Sequence, residues 1–201
     1  MQRKTFDFIL TAIGGVVTLV LLVAGILLLW GASYANNTVH NQLAQQQIFF
    51  PAKAAFANAK VGTEITPSMI PSVSQYAGQQ LLSGPQAKVY ANDFIAVHLS
   101  EMPYGGVYSK ASAAAIADPT NTTLANEVNT IFKGTTLRGL LLNAYGWWQI
   151  GQIALIAAIC AFVGSFLTLI LSFLGFWHLR KVGPDEPLLH DTSAEPVTVV
   201  A

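Results

Sequence analysis

Charge, histidine and cysteine are all scarce in this chain. Its 201 residues hold ten acidic and ten basic side chains, 10% charged with a formal net charge of zero, where globular domains carry about 25%. So thin and balanced a charge excludes the basic field that draws nucleic acid, and no nucleic acid is expected as a partner. A single cysteine, Cys160, excludes an intramolecular disulfide. It lies inside an apolar run, where a thiol packs rather than attacks. Catalytic signatures are missing as well: the chain has no GxxxxGK[ST] loop for phosphate, no GxSxG turn and no HExxH pair. No cofactor is expected.

What the chain does have is apolar length. Hydrophobic residues make up 53% of it, and two uncharged runs stand out, Phe8–Trp30 and Trp147–Trp177. Each exceeds the roughly 20 residues that cross a hydrocarbon core about 30 Å thick, so 8–30 and 147–177 are predicted as transmembrane helices. The second is about 45 Å long at 1.5 Å per residue and must tilt or stand partly clear of lipid. Trp30, Trp147, Trp148 and Trp177 mark the ends of the runs, where an indole finds both apolar and polar surroundings. Arg3 and Lys4 precede the first run, and Arg180 and Lys181 follow the second. Basic residues favour the inner side, so residues 1–7 and 178–201 are expected in the cytoplasm. Lys133 and Arg138, near the outer end of the second run, weaken that bias. A cleavable signal ending near Ser33-Tyr34-Ala35 is the rival reading, but its apolar core exceeds the usual 7–15 residues or so.

Residues 31–146 read as an extracytoplasmic helical domain. Asn36 or Asn37 can cap a helix that continues the first span through VHNQLAQQQIFF, with Val39, Leu43 and Gln46 on one face and Pro51 ending it. Residues 52–69 read as loop. Pro71 opens a helix running to Gly84, and Pro85 opens another with Val89, Tyr90, Asp93/Phe94 and Val97 at helical spacing. Ser109 is expected to cap KASAAAIA, and Thr122 or Thr123 to start a helix that Gly134 stops. Thr135 or Thr136 then begins the stretch that leads into the second span. The fold class is therefore all-α: two transmembrane helices flanking a small helical bundle, followed by a Pro-rich, disordered tail over 178–201.

Three groups of residues are candidates for function. Asp93, His98 and Glu101 lie close along one helix, and His98 with Glu101, three apart, offers two metal ligands of the several that a site needs. Arg138 lies about nine residues, or 13 Å, before Trp147, positioned for lipid phosphate or for an acid such as Glu127 or Asp93. The spans contain no ionisable residue of the kind that lines a proton or ion path. They hold small residues instead: Gly14 and Thr18 in the first, and Ala157, Ala161 and Ser165, four apart, in the second. Such a row lets another helix approach, either the first span or a second copy of the chain. Asn36-Asn37-Thr38 and Asn121-Thr122-Thr123 match the glycosylation pattern, which three residues satisfy by chance.

The segments IFFP at 48–51, YAGQQLLSGPQAKVYANDFIAVHL at 76–99, GGVYSKAS at 105–112 and TLRGLLLNAYGWWQIGQIAL at 136–155 resemble a family of uncharacterised two-span membrane proteins of actinobacteria. The resemblance covers most of 1–181. It implies a bacterial plasma membrane and a domain facing the cell wall, and lends no activity. Some members carry a ring-opening dioxygenase label, and nothing in this chain resembles such an iron site. The expectation is a non-enzymatic membrane protein that binds a partner protein or an envelope component. The alternatives are a metal-binding protein or enzyme using Asp93, His98 and Glu101, and a ligand sensor.

Overall fold

The structure is a computed structural model that describes residues 3–181 and 183. The expected tail beyond 183 lies outside the described residues. Among those described there is no strand, and two long helices dominate: α1, Arg3–Gln46, and α6, Thr122–Leu179. Between them come α2 (Ile70–Val73), α3 (Gly84–Val89), a π-helical turn (Tyr90–Ile95), α4 (Ala96–Glu101) and α5 (Tyr108–Ala117). Short 3-10 turns fill Lys53–Asn58, Pro67–Met69, Ser74–Tyr76 and Pro103–Gly106.

Several expected boundaries move. α1 has no break at Asn36, whose side chain donates 3.0 Å to the Ala32 carbonyl of its own helix. It ends at Gln46, before Gln47 turns to a positive φ of 51°. Gly134 does not stop α6. A helical glycine costs only about 1 kcal/mol, and this one lies against Leu99, whose Cδ2 would be 2.9 Å from an added Cβ. The N-cap of α6 is Asn121, whose Oδ1 accepts from the Leu124 N–H at 3.0 Å, and not Thr122 or Thr123. The helix expected from Pro71 to Gly84 is broken early. After Tyr76 the chain turns at Gly78 (φ 72°) and runs beside residues 48–51, with Phe50 N–H to Gln79 O at 2.9 Å and Leu81 N–H to Ile48 O at 2.8 Å. α5 starts at Tyr108, with no side-chain cap from Ser109.

The chain divides into two compact units, Met1–Leu29 with Leu155–Ala201, and Trp30–Ala154. Within the first, α1 and α6 run antiparallel. The shielded positions of α1 are Asp7, Thr11, Gly14, Thr18, Leu21, Gly25 and Leu28, alternately four and three apart, with Ala24 beside Gly25. On α6, Ala158, Ser165 and Ser172 recur every seven. A 3.5-residue period is the signature of a left-handed helix pair. The expected row at Ala157, Ala161 and Ser165 is thus partly displaced: Ala158 is 1% exposed and Ser165 5%, while Ala157 and Ala161 flank them half-buried. Gly14 and Thr18 do lie on the seam, and their partner is α6 of the same chain. The Thr18 hydroxyl is 2.9 Å from that of Thr168 and 2.8 Å from the Gly14 carbonyl, and Ser165 donates to the Thr18 carbonyl at 3.0 Å. Thr18→Val keeps the shape and removes the hydroxyl. The expected loss is about 1 kcal/mol or less, read as a small fall in melting temperature, and a loss several times larger would mean that the hydroxyls carry the pair.

The second unit has its own core. Val39 and Leu43 of α1, Leu141 of α6, and Phe50, Met69, Val73, Leu81, Ala87, Ala91 and Ile95 from the intervening chain are buried together. Phe50 packs its ring 5.1 Å from Tyr76 and 5.3 Å from Tyr90. The start of α3 is tied by Gln86, whose side-chain oxygen accepts the Leu82 and Ser83 N–H groups at 2.8 and 3.0 Å.

Candidate functional site

His98 sits on α4 with its ring edge-on to Phe94, centroids 4.6 Å apart. Its Nε2 is 3.0 Å from the Glu64 backbone carbonyl, so that nitrogen already has a partner. No group of three or more His, Cys, Asp or Glu side chains able to hold a metal occurs among the described residues. The pair His98 and Glu101 therefore gains no third ligand from Asp93 or from any other described side chain.

Arg138 bonds neither acid proposed for it. Its Nη2 donates 2.9 Å to Oδ1 of Asn92, while Nε is buried without a partner. Asp93 was a candidate by its charge, and it lies with Asn92 in the π-helical turn Tyr90–Ile95. One extra residue per turn rotates the following face, and an α-helical count misplaces it. Lys88, also near this side, holds its Nζ 5.1 Å from the centre of the Tyr145 ring. Inside the same turn, burial and then the nearby Glu64 carboxylate push the Tyr90 phenol above its usual value near 10. The folded state thus favours the neutral phenol. That stabilisation is complete below about pH 10 and is lost as pH rises further. A Tyr90→Phe chain is expected to lose part of the fall in unfolding free energy that sets in as pH rises above about 10; superimposable pH profiles would show that Tyr90 does not contribute.

The aromatic markers divide. Trp30 and Trp147 are 68% and 54% exposed, and Trp30 stacks on Tyr34 at 5.7 Å. Trp148, expected at an interface like them, instead packs inward. It stacks on Tyr145 at 5.9 Å, and its Cβ and Cγ occupy the space that a side chain on Gly84 would need. Trp177 is exposed, with Lys181 Nζ 4.5 Å from its ring centre.

One concavity has no counterpart among the expected sites. It lies in the second unit between α1 and α6, holds about 460 Å³, and is partly open. Thr38, Gln42 and Gln46 line one side, and Leu137, Leu140 and Trp147 the other. No lining residue is charged. The four-residue spacing of Thr38, Gln42 and Gln46 is the signal that could have revealed it: a polar stripe beside the apolar Val39 and Leu43 on a single helix.

The class defined so far is an all-helical chain in which two helices are long and apolar enough to cross a membrane. No known protein family, curated protein or solved structure matches it.

Proposed function

We propose an integral plasma-membrane protein that crosses the bilayer near 8–30 and 147–177, keeps both termini in the cytoplasm, and binds an envelope component or partner protein through its external helical unit. One observation carries the membrane part. In the most apolar windows of the two long helices, only 6% and 11% of residues are buried. Leu10, Leu27, Ile153 and Phe173 are each 60–70% exposed. At about 25 cal/mol per Å² of apolar surface, such faces are costly in water and cost nothing in lipid. The antiparallel pairing supports a common side for the two ends, since His178 Nε2 lies 3.9 Å from Asp7. Basic residues at both ends favour the cytoplasmic side.

The binding part rests on the uncharged concavity between α1 and α6 and on the missing catalytic set. A single-cysteine test in a Cys160→Ser background checks the topology. A membrane-impermeant maleimide should label Ser68→Cys on intact cells and Lys4→Cys only after permeabilisation; the reverse pattern, or release of the chain by alkaline carbonate, sinks the proposal. Pull-down from gently solubilised membranes, repeated with residues 36–145 deleted, checks the binding role, and an identical set of partners would contradict it.

A further inference from the structure

We infer that the concavity between α1 and α6 in the second unit is a binding site for the acyl chain of an uncharged membrane amphiphile, a lipid whose head group carries hydroxyls or amides but no ionised group. This deepens the proposed function and rests on its membrane placement.

The site holds about 460 Å³, inside the range of roughly 300–1,000 Å³ typical of small-molecule pockets. Its α1 wall runs from Tyr34 to Gln46, about 18 Å at 1.5 Å per residue. One bilayer leaflet holds hydrocarbon about 15 Å deep, half of the 30 Å core. The trough is therefore as long as one lipid tail.

The lining selects the kind of lipid. On α6, Leu137, Leu140, Ala144 and Trp147 form a mostly apolar wall broken by Asn143, and on α1, Thr38, Gln42 and Gln46 add neutral hydrogen-bonding groups beside Val39 and Leu43. A carboxylate or phosphate brought here would lose water and gain no cation, because every lining residue is uncharged. Hydroxyls and amides of a neutral head group would find partners in the Gln42 and Gln46 carboxamides. Two cations of this unit are engaged elsewhere: Lys88 is at the Tyr145 ring and Arg138 at Asn92, neither among the lining residues.

The source of the occupant follows from continuity. Trp147 and Tyr34 belong both to the site and to the exposed aromatic group that includes Trp30. In the same unit Ile150 and Ile153, one and two turns further along α6, are 54% and 67% exposed. An apolar surface therefore runs from the trough past the tryptophans toward the segment placed in lipid. Indoles favour that boundary. A tail can slide along this path without crossing water.

The full-length protein is tested in phosphatidylcholine nanodiscs doped with a diazirine-tagged monoacylglycerol. After photolysis, label should concentrate on peptides covering 34–46 and 137–147. Untagged monooleoylglycerol should displace it, and anionic lysophosphatidylglycerol should not. Thr38→Trp, which fills the trough, should lower that labelling about tenfold, equivalent to roughly two methylenes no longer buried. Ala144→Phe serves the same purpose should Thr38→Trp fail to fold. Gln42→Leu, which spares the trough, should keep the labelling but reduce the preference over the anionic lipid. Label in the spans but not in the trough overturns the inference alone, as does equal displacement by the anionic lipid or full labelling of a folded filled variant. Label in neither place overturns the membrane reading as well.

Discussion

A Gly106→Ala chain is expected to lose about 3 kcal/mol of stability, combining an αL penalty of roughly 1–2 kcal/mol with an overpacking cost of similar size. Gly106 has φ +68°, which an L side chain adopts only with strain. A Cβ there would also land on the Leu99 carbonyl oxygen and come within 2.7 Å of its carbon. That carbonyl cannot swing away freely, because it accepts the Met102 N–H at 3.1 Å where α4 ends. Gly105 supplies the control. Its φ of +64° is similar, but nothing lies within 4 Å of an added Cβ. Gly105→Ala should therefore cost only the conformational part, about 1 kcal/mol. Thermal unfolding of both variants in the same detergent measures the difference, and equal losses would falsify the close contact with Leu99.

The second large effect is expected in the seam of the first unit. Gly14→Leu should force α1 from α6, because an added Cβ already meets the Ser172 hydroxyl and three further carbons must follow it. Overpacking of this kind costs about 3 kcal/mol when neighbours cannot move aside. Gly15, one residue on, faces open space, and Gly15→Leu should be nearly neutral. The readout is a disulfide between Leu21→Cys and Gly164→Cys, with Cys160 replaced by serine. Leu21 Cδ1 is 3.4 Å from the Cβ position of Gly164, so the helices are close enough there to report separation. Cross-linking should fall about tenfold with Gly14→Leu, a change of 1.4 kcal/mol or more, and stay unchanged with Gly15→Leu. Matching yields for the two variants would mean that the glycine face is not where the helices meet.

The candidate site was legible only in fragments. Arg138 stood out as a cation beside an apolar run, yet its partner could not be read. Asp93 and Asn92 are adjacent, and choosing between them depends on a π-helical turn that leaves no mark in the composition of Tyr90–Ile95. His98 looked like a ligand because it lies three residues from Glu101 on one helix. The Glu64 carbonyl that engages it is 34 residues away and could come from any loop. The trough between α1 and α6 was missed for a related reason. Its two walls, each with apolar and polar residues, belong to helices about a hundred residues apart, and each by itself is an ordinary amphipathic stripe.

By itself, the sequence determined the helical class and the two runs able to span a bilayer. These depend on local and additive quantities: absence of charge, apolar length and the missing strand alternation. It also placed Gly14, Thr18 and Ser165 on a packing face, since small residues at helical spacing are visible in one dimension. Only the tertiary structure decided that α6 continues through Gly134, because contacts such as Leu99 against Gly134 offset the local tendency to break. It likewise chose Ala158 over Ala157, since the seam advances with the 3.5-residue period of two wrapped helices and not with the four-residue row on one. Trp148 went inward under Gly84 while Trp147 stayed exposed. Two identical side chains in sequence point about 100° apart on a helix, and only the packed partner tells which direction is the core.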